Sequence, residues 1–81
     1  MIDPEKLAQF NEANAVTLEI DPAELRPDGD LKNDYYISSI QRMMIIADIG
    51  EIFGVELEYE QIRNCVTYGD LLSLVDAAVN Q

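Results

Sequence analysis

The chain has 81 residues, 48% of them apolar, and a chain this short buries only ~60% of its unfolded surface, which allows one small core. Five basic residues against 16 acidic ones give a net charge of −11. That argues against nucleic acid and anionic lipid, both of which need a basic face. There is no His, which removes the commonest general base and metal ligand, and a single Cys, which excludes an internal disulfide.

In chain order, Asp3-Pro4-Glu5-Lys6 predicts a helix start, an Asp cap with Pro at the first helical position. Leu7, Phe10 and Ala13 carry an apolar stripe to about Asn14. Val16, Leu18 and Ile20 alternate like a strand but have no second alternating run to pair with, so they predict an extended connector pinned to the core. Asp21-Pro22-Ala23-Glu24 repeats the cap signal, with room for one turn before Pro27. Arg26 to Asp34 predicts a polar, turn-rich loop.

Ser38-Ser39-Ile40-Gln41 opens the strongest helix, with Ser38 and Gln41 as a capping box and Gly54 as its left-handed end. Nine of the 14 residues from Ile40 to Phe53 are apolar, so this helix needs cover on more than one side. Glu58 to Asn64 has space for a short helix. Thr67-Tyr68-Gly69-Asp70 is a second capping box, and Tyr68, Leu71, Leu72, Val75, Ala78 and Val79 then recur at helical spacing to about Asn80. The prediction is an all-α fold, a small four-helix bundle of three main helices and a short one, with a long first loop and residues 1–81 as one domain. Its core is expected from Leu7, Phe10, Ile45, Ile49, Ile52, Phe53, Leu71, Leu72 and Val75.

Site chemistry narrows quickly. A calcium loop starting at Asp28 places Asp30 correctly. It then puts Lys32 at a ligand position, Asn33 where Gly is needed and Ser39 where a bidentate Glu belongs. The pattern fails, and the acids read as solvated, with no metal site. Nucleophilic catalysis needs a base beside Ser or Cys, and none is visible; Cys65 reads as a small buried hydrophobe. What stands out is Ser38-Ser39 at the start of the long helix, where free N–H groups and the helix dipole favour a phosphate-linked group on one hydroxyl.

These stretches resemble the acyl carrier protein family. Its signature Asp-Leu-Gly-x-Asp-Ser-Leu, with the Ser opening the second helix, is matched by Asp34-Tyr35-Tyr36-Ile37-Ser38-Ser39-Ile40. Ile52-Phe53-Gly54-Val55-Glu56-Leu57 is similar to the family's Glu-Phe-Gly-x-x-Ile/Leu. Thr67-Tyr68-Gly69-Asp70-Leu71-Leu72 is similar to its Thr-Val-Gly-Asp-Leu, and the three blocks align without a gap. Ser38 stands where the family has Asp, and Tyr36 where it has Gly.

The resemblance implies a non-enzymatic carrier with 4′-phosphopantetheine, drawn from coenzyme A, on Ser39. Acyl intermediates would ride on it as thioesters in fatty acid, polyketide or related biosynthesis. The implied partners are a phosphopantetheinyl transferase and acyl-transferring or condensing enzymes. Their contacts are expected at Ser38, Ile40, Met44, Asp48 and Glu51, on the face that also carries Gln41. The chain is expected to be a cytoplasmic monomer without membrane insertion, since no apolar run approaches ~18 residues. The competing reading is an unmodified acidic module that binds proteins through a carrier-like fold.

Overall fold

The computed structural model describes residues 2–80. They form four α-helices, α1 Pro4–Leu18, α2 Ser39–Phe53, α3 Tyr59–Arg63 and α4 Tyr68–Val79, with a 3-10 turn at Pro22–Glu24 after α1. Among the described residues one isolated antiparallel bridge, Asp30 to Thr67, is the only strand-like pairing. The architecture is the all-α bundle that the hydrophobic periodicity predicts.

Helix α1 differs from expectation at both ends. Pro4 opens it, but the Asp3 side chain makes no capping hydrogen bond. It runs past Asn14 to Leu18, so Val16 and Leu18 are helical rather than extended. Phe10, Asn14, Ala15 and Leu18 are buried at helical spacing, whereas Val16 faces solvent. A helix already nucleated gains one hydrogen bond per added residue, while a lone strand gains none, so propagation wins. Glu19 ends the helix in the left-handed region at φ 59°. Its N–H and that of Ile20 close on the carbonyls of Val16 and Ala15.

The other helix boundaries follow the sequence signals. Gly54 closes α2 at φ 70°. Thr67 caps α4, its hydroxyl accepting from the Asp70 N–H at 3.1 Å while the Asp70 carboxylate accepts from Thr67 and Val66. Those two backbone donors hold the Asp70 carboxyl below the usual carboxylate range.

The core is built on Phe10, Ile45, Ile49, Ile62, Leu71 and Val75, all essentially without solvent contact. Of the expected core, Ile52, Phe53 and Leu72 are half-buried at its margin, Phe53 standing edge-on to Phe10 with ring centroids 5.4 Å apart. Leu7 is also half-buried, outside the core cluster, and lines a shallow groove with Ile2 and Leu72. The long loop supplies what these positions do not. Leu31, Tyr35 and Ile37 are buried. The Leu31, Tyr68 and Gly69 N–H groups donate to the carbonyls of Val66, Gly29 and Pro27, stitching the loop to the start of α4. Tyr35 fastens the loop internally: its hydroxyl donates to the Glu24 carbonyl at 2.8 Å and accepts from the Arg26 N–H at 3.0 Å.

One polar group lies inside this core. Asn14 is fully buried, and its side-chain amide donates to the Tyr68 hydroxyl, which in turn donates to Asn11. Burial pushes the Tyr68 phenol up to about 12. An ionising group whose folded value lies above its ordinary ~10 contributes stability that is complete below that value and is lost as pH rises through the folded one. Thermal unfolding should therefore show stability falling between about pH 10 and 12. Tyr68→Phe should lack that contribution to the alkaline loss but be ~1–3 kcal/mol less stable at neutral pH, since the Asn14 amide loses its buried acceptor.

Candidate functional site

The start of α2 is defined by two adjacent serines with different tasks. Ser38 lies outside the helix in extended conformation, and its Oγ accepts from the Gln41 N–H at 3.1 Å. Gln41 reciprocates, its Oε1 accepting from the Ser38 N–H at 2.8 Å. The capping box is complete, and the Ser38 oxygen is committed to it. Ser39 is the first helical residue and is exposed. Its hydroxyl acts on Tyr59, the first residue of α3. Hydrogen bonding from Ser39 is the leading reason that the Tyr59 phenol lies below its ordinary range, and hydrogen bonding and charge from Arg42 add to it.

The residues expected on the partner-facing side are not all brought there. Ile40 is 72% exposed and Met44 47% exposed. Ser38 and Glu51 are exposed as well, while Asp48 is half-buried. Desolvation, helped by the Glu51 charge, pushes the Asp48 carboxyl up. Gln41, expected on the same face, instead turns inward and donates from Nε2 to the Thr17 carbonyl at 3.1 Å. It fastens the beginning of α2 to the end of α1. Met43, 63% exposed, and Tyr36, 80% exposed, join the face although the sequence did not single them out for contact. The residues that reach solvent after Ser39 along α2 are thus apolar at Ile40, Met43 and Met44, with the half-buried Arg42 among them, and acidic at Asp48 and Glu51.

Asp30, considered above as a calcium ligand, has a structural task. Its Oδ1 accepts from the Lys32 and Asn33 N–H groups and its Oδ2 from the Asn33 side chain. The Asn33 N–H is the leading cause that lowers its carboxyl. This carboxylate forms a turn while remaining in contact with solvent. Cys65 is half-buried rather than buried, with Sγ donating to the Gln61 carbonyl at 3.4 Å.

Residues 12–75 match the family model described as the phosphopantetheine attachment site. The segment runs from within α1 into α4 and contains both serines. The chain belongs to the acyl carrier protein family. It is 32% identical over 59 residues to the acyl carrier protein of Micrococcus luteus, covering 73% of each chain. To that of Renibacterium salmoninarum it is 33% identical over 57 residues, covering 70% of each. The acyl carrier protein of Exiguobacterium sibiricum matches at 29% over 73 residues, or 90% of this chain and 92% of that one. The cofactor that goes with this family is phosphopantetheine, and members of the family carry groups rather than transform them.

Set against the family signature, the structure explains both departures. Tyr36 occupies the Gly position and is left-handed at φ 53°, a conformation that glycine adopts without steric cost. Tyr36 holds this conformation at the expense of backbone strain. Ser38 occupies the Asp position and preserves the helix cap, which either residue can supply. No helix among the described residues is long and apolar enough to cross a membrane.

Proposed function

We propose that Ser39 carries 4′-phosphopantetheine and that the chain, as one carrier domain, presents acyl groups as thioesters on that arm to enzymes of fatty acid, polyketide or related biosynthesis. The observation that carries this reading is the division of labour between the serines. The Ser38 oxygen is held by the Gln41 N–H, whereas Ser39 is exposed on the first turn of α2 inside the segment that matches the attachment-site family. The site suits a long appendage, because the Ser39 side chain is outside the core and the first helical turn keeps N–H groups for an anion. In loading, the Ser39 oxygen forms a bond to the phosphorus that bears pantetheine. The phosphoanhydride bond of coenzyme A breaks, adenosine 3′,5′-bisphosphate leaves, and the hydroxyl proton passes to the transferase or solvent. The chain supplies the acceptor and catalyses nothing itself.

Incubating the purified apo chain with coenzyme A and a phosphopantetheinyl transferase of broad specificity, then measuring the intact mass, tests the reading. One added phosphopantetheine is expected. A chain that stays unmodified with every transferase tried supports the competing interaction-module reading instead.

The partner face is proposed as Tyr36, Ile40, Met43 and Met44 around the serine, with Ser38 at its edge and Asp48 and Glu51 farther along α2. An apolar face of this kind favours contacts through adaptable methionines over purely charged docking. Met44→Glu should leave the fold intact, since Met44 is outside the core. It should slow acyl transfer by a cognate enzyme ~5-fold, the scale of one interface anchor lost. Unchanged or faster transfer would mean that acidic contacts govern docking.

A further inference from the structure

Against a net charge of −11, the placement of the five basic residues is informative. Three of them, Lys32, Arg42 and Arg63, line one cavity of about 230 Å³ between the long loop, α2 and the α3–α4 junction. Leu31, Cys65 and Val66 give it an apolar side. Arg42 follows Ser39 by one helical turn, so the two side chains share a face. The Tyr59 phenol at the start of α3 is held below its ordinary range by Ser39 first and then by Arg42 and Arg63, so the serine and both arginines act on one group.

The acids nearby balance this group only in part. Asp30 also lines the cavity and its charge acts on Lys32, while its oxygens accept from Lys32 and Asn33 donors within its own turn. Glu60 meets Arg63 at 3.4 Å in an exposed pair, which contributes little. Arg42 has no carboxylate within 4 Å among the described residues. Three cations against Asp30 and Glu60 leave an excess of positive charge, which an anion between them would offset. A water occupies ~30 Å³ of liquid, so the cavity has space for several waters or a short chain ending in a charged group.

We propose that this basic cavity is a subsite for an anionic oxygen group brought by the arm on Ser39. The group is either the phosphodiester of the arm or the free carboxylate of a dicarboxylic acyl cargo. The proposal rests on Ser39 as the attachment residue. The apolar side of the cavity suits the methylenes of such a cargo, and the three cations suit its terminal charge.

The test loads the full chain, labelled with nitrogen-15, from coenzyme A, hexanoyl-coenzyme A and adipoyl-coenzyme A in parallel, with intact mass confirming each product. The side-chain Nε–H resonances of Arg42 and Arg63 are then compared with those of the apo chain. Equal shifts in all three products assign the subsite to the phosphodiester. Shifts confined to the adipoyl product assign it to the cargo carboxylate. In that case the adipoyl thioester should also hydrolyse roughly three-fold more slowly in the wild type than in Lys32→Gln/Arg42→Gln/Arg63→Gln, the scale of an exposed charge contact. Loaded chains in which neither arginine moves overturn the subsite and leave Ser39 in place. A chain that accepts no arm removes both readings.

Discussion

Ser39→Ala is expected to gain no phosphopantetheine at all, whereas Ser38→Ala should still be loaded, though more slowly. The two hydroxyls are adjacent in sequence but differ in what they are free to do. Ser38 Oγ accepts from the Gln41 N–H and fixes the first turn of α2. Removing it costs ~1 kcal/mol of helix stability and leaves the nucleophile untouched. Ser39 makes no part of that cap, so its removal deletes the acceptor oxygen and its influence on the Tyr59 phenol but leaves the helix start intact. A paired measurement separates chemistry from folding: intact mass should fail only for Ser39→Ala, and the melting temperature should fall mainly for Ser38→Ala. The reverse pattern in mass would move the attachment site to Ser38.

Gly29→Ala is expected to be the most damaging single methyl group in the long loop. A Cβ built at Gly29 would sit 2.1 Å from the Tyr35 hydroxyl oxygen and 2.6 Å from the adjacent ring carbon. Tyr35 is buried and held on both sides by backbone groups of Glu24 and Arg26, so it cannot swing away without releasing both bonds. Overpacking of this kind costs ~3 kcal/mol, and a domain of this size has little stability in reserve. Chemical denaturation should show the loss. The double variant Gly29→Ala/Tyr35→Phe should recover part of it, because the oxygen in the clash is then absent. An unchanged midpoint for Gly29→Ala would show that the loop yields.

The legible parts of the fold were those written in short, local codes. The cap at Asp21, the capping boxes at Ser38 and Thr67 and the glycine at position 54 need only a few consecutive residues, and each forms as its sequence predicts. The apolar repeat of α4 is similarly local. Leu31, Tyr35 and Ile37 were not legible as core because a loop has no period to mark its inward positions. The run Val16, Leu18, Ile20 misled because three alternating residues fit a strand template, although a helix entering from Phe10 simply continues through the first two. The same limit applies to the site. Ser39 is marked by its position in a motif. Tyr59 comes under its influence only because α3 packs against α2, and Gln41 turns inward only because α1 ends beside it with the Thr17 carbonyl as acceptor.

The half-buried Cys65 has a consequence for a chain that holds cargo as a thioester. Two sulfurs would then lie on one small molecule, the terminal thiol of the arm and the thiol of Cys65. Desolvation, with a further contribution from the Asp70 charge, pushes the Cys65 thiol up. Since only the thiolate attacks carbonyls and disulfides, Cys65 stays a poor acceptor at neutral pH. With the arm attached as proposed, a protonated Cys65 would disfavour migration of cargo onto the protein's own sulfur and closure of the arm into an internal disulfide. Iodoacetamide should accordingly alkylate the arm well before Cys65 in the loaded chain, and Cys65 labelled first would mean that this sulfur is more reactive than its surroundings imply.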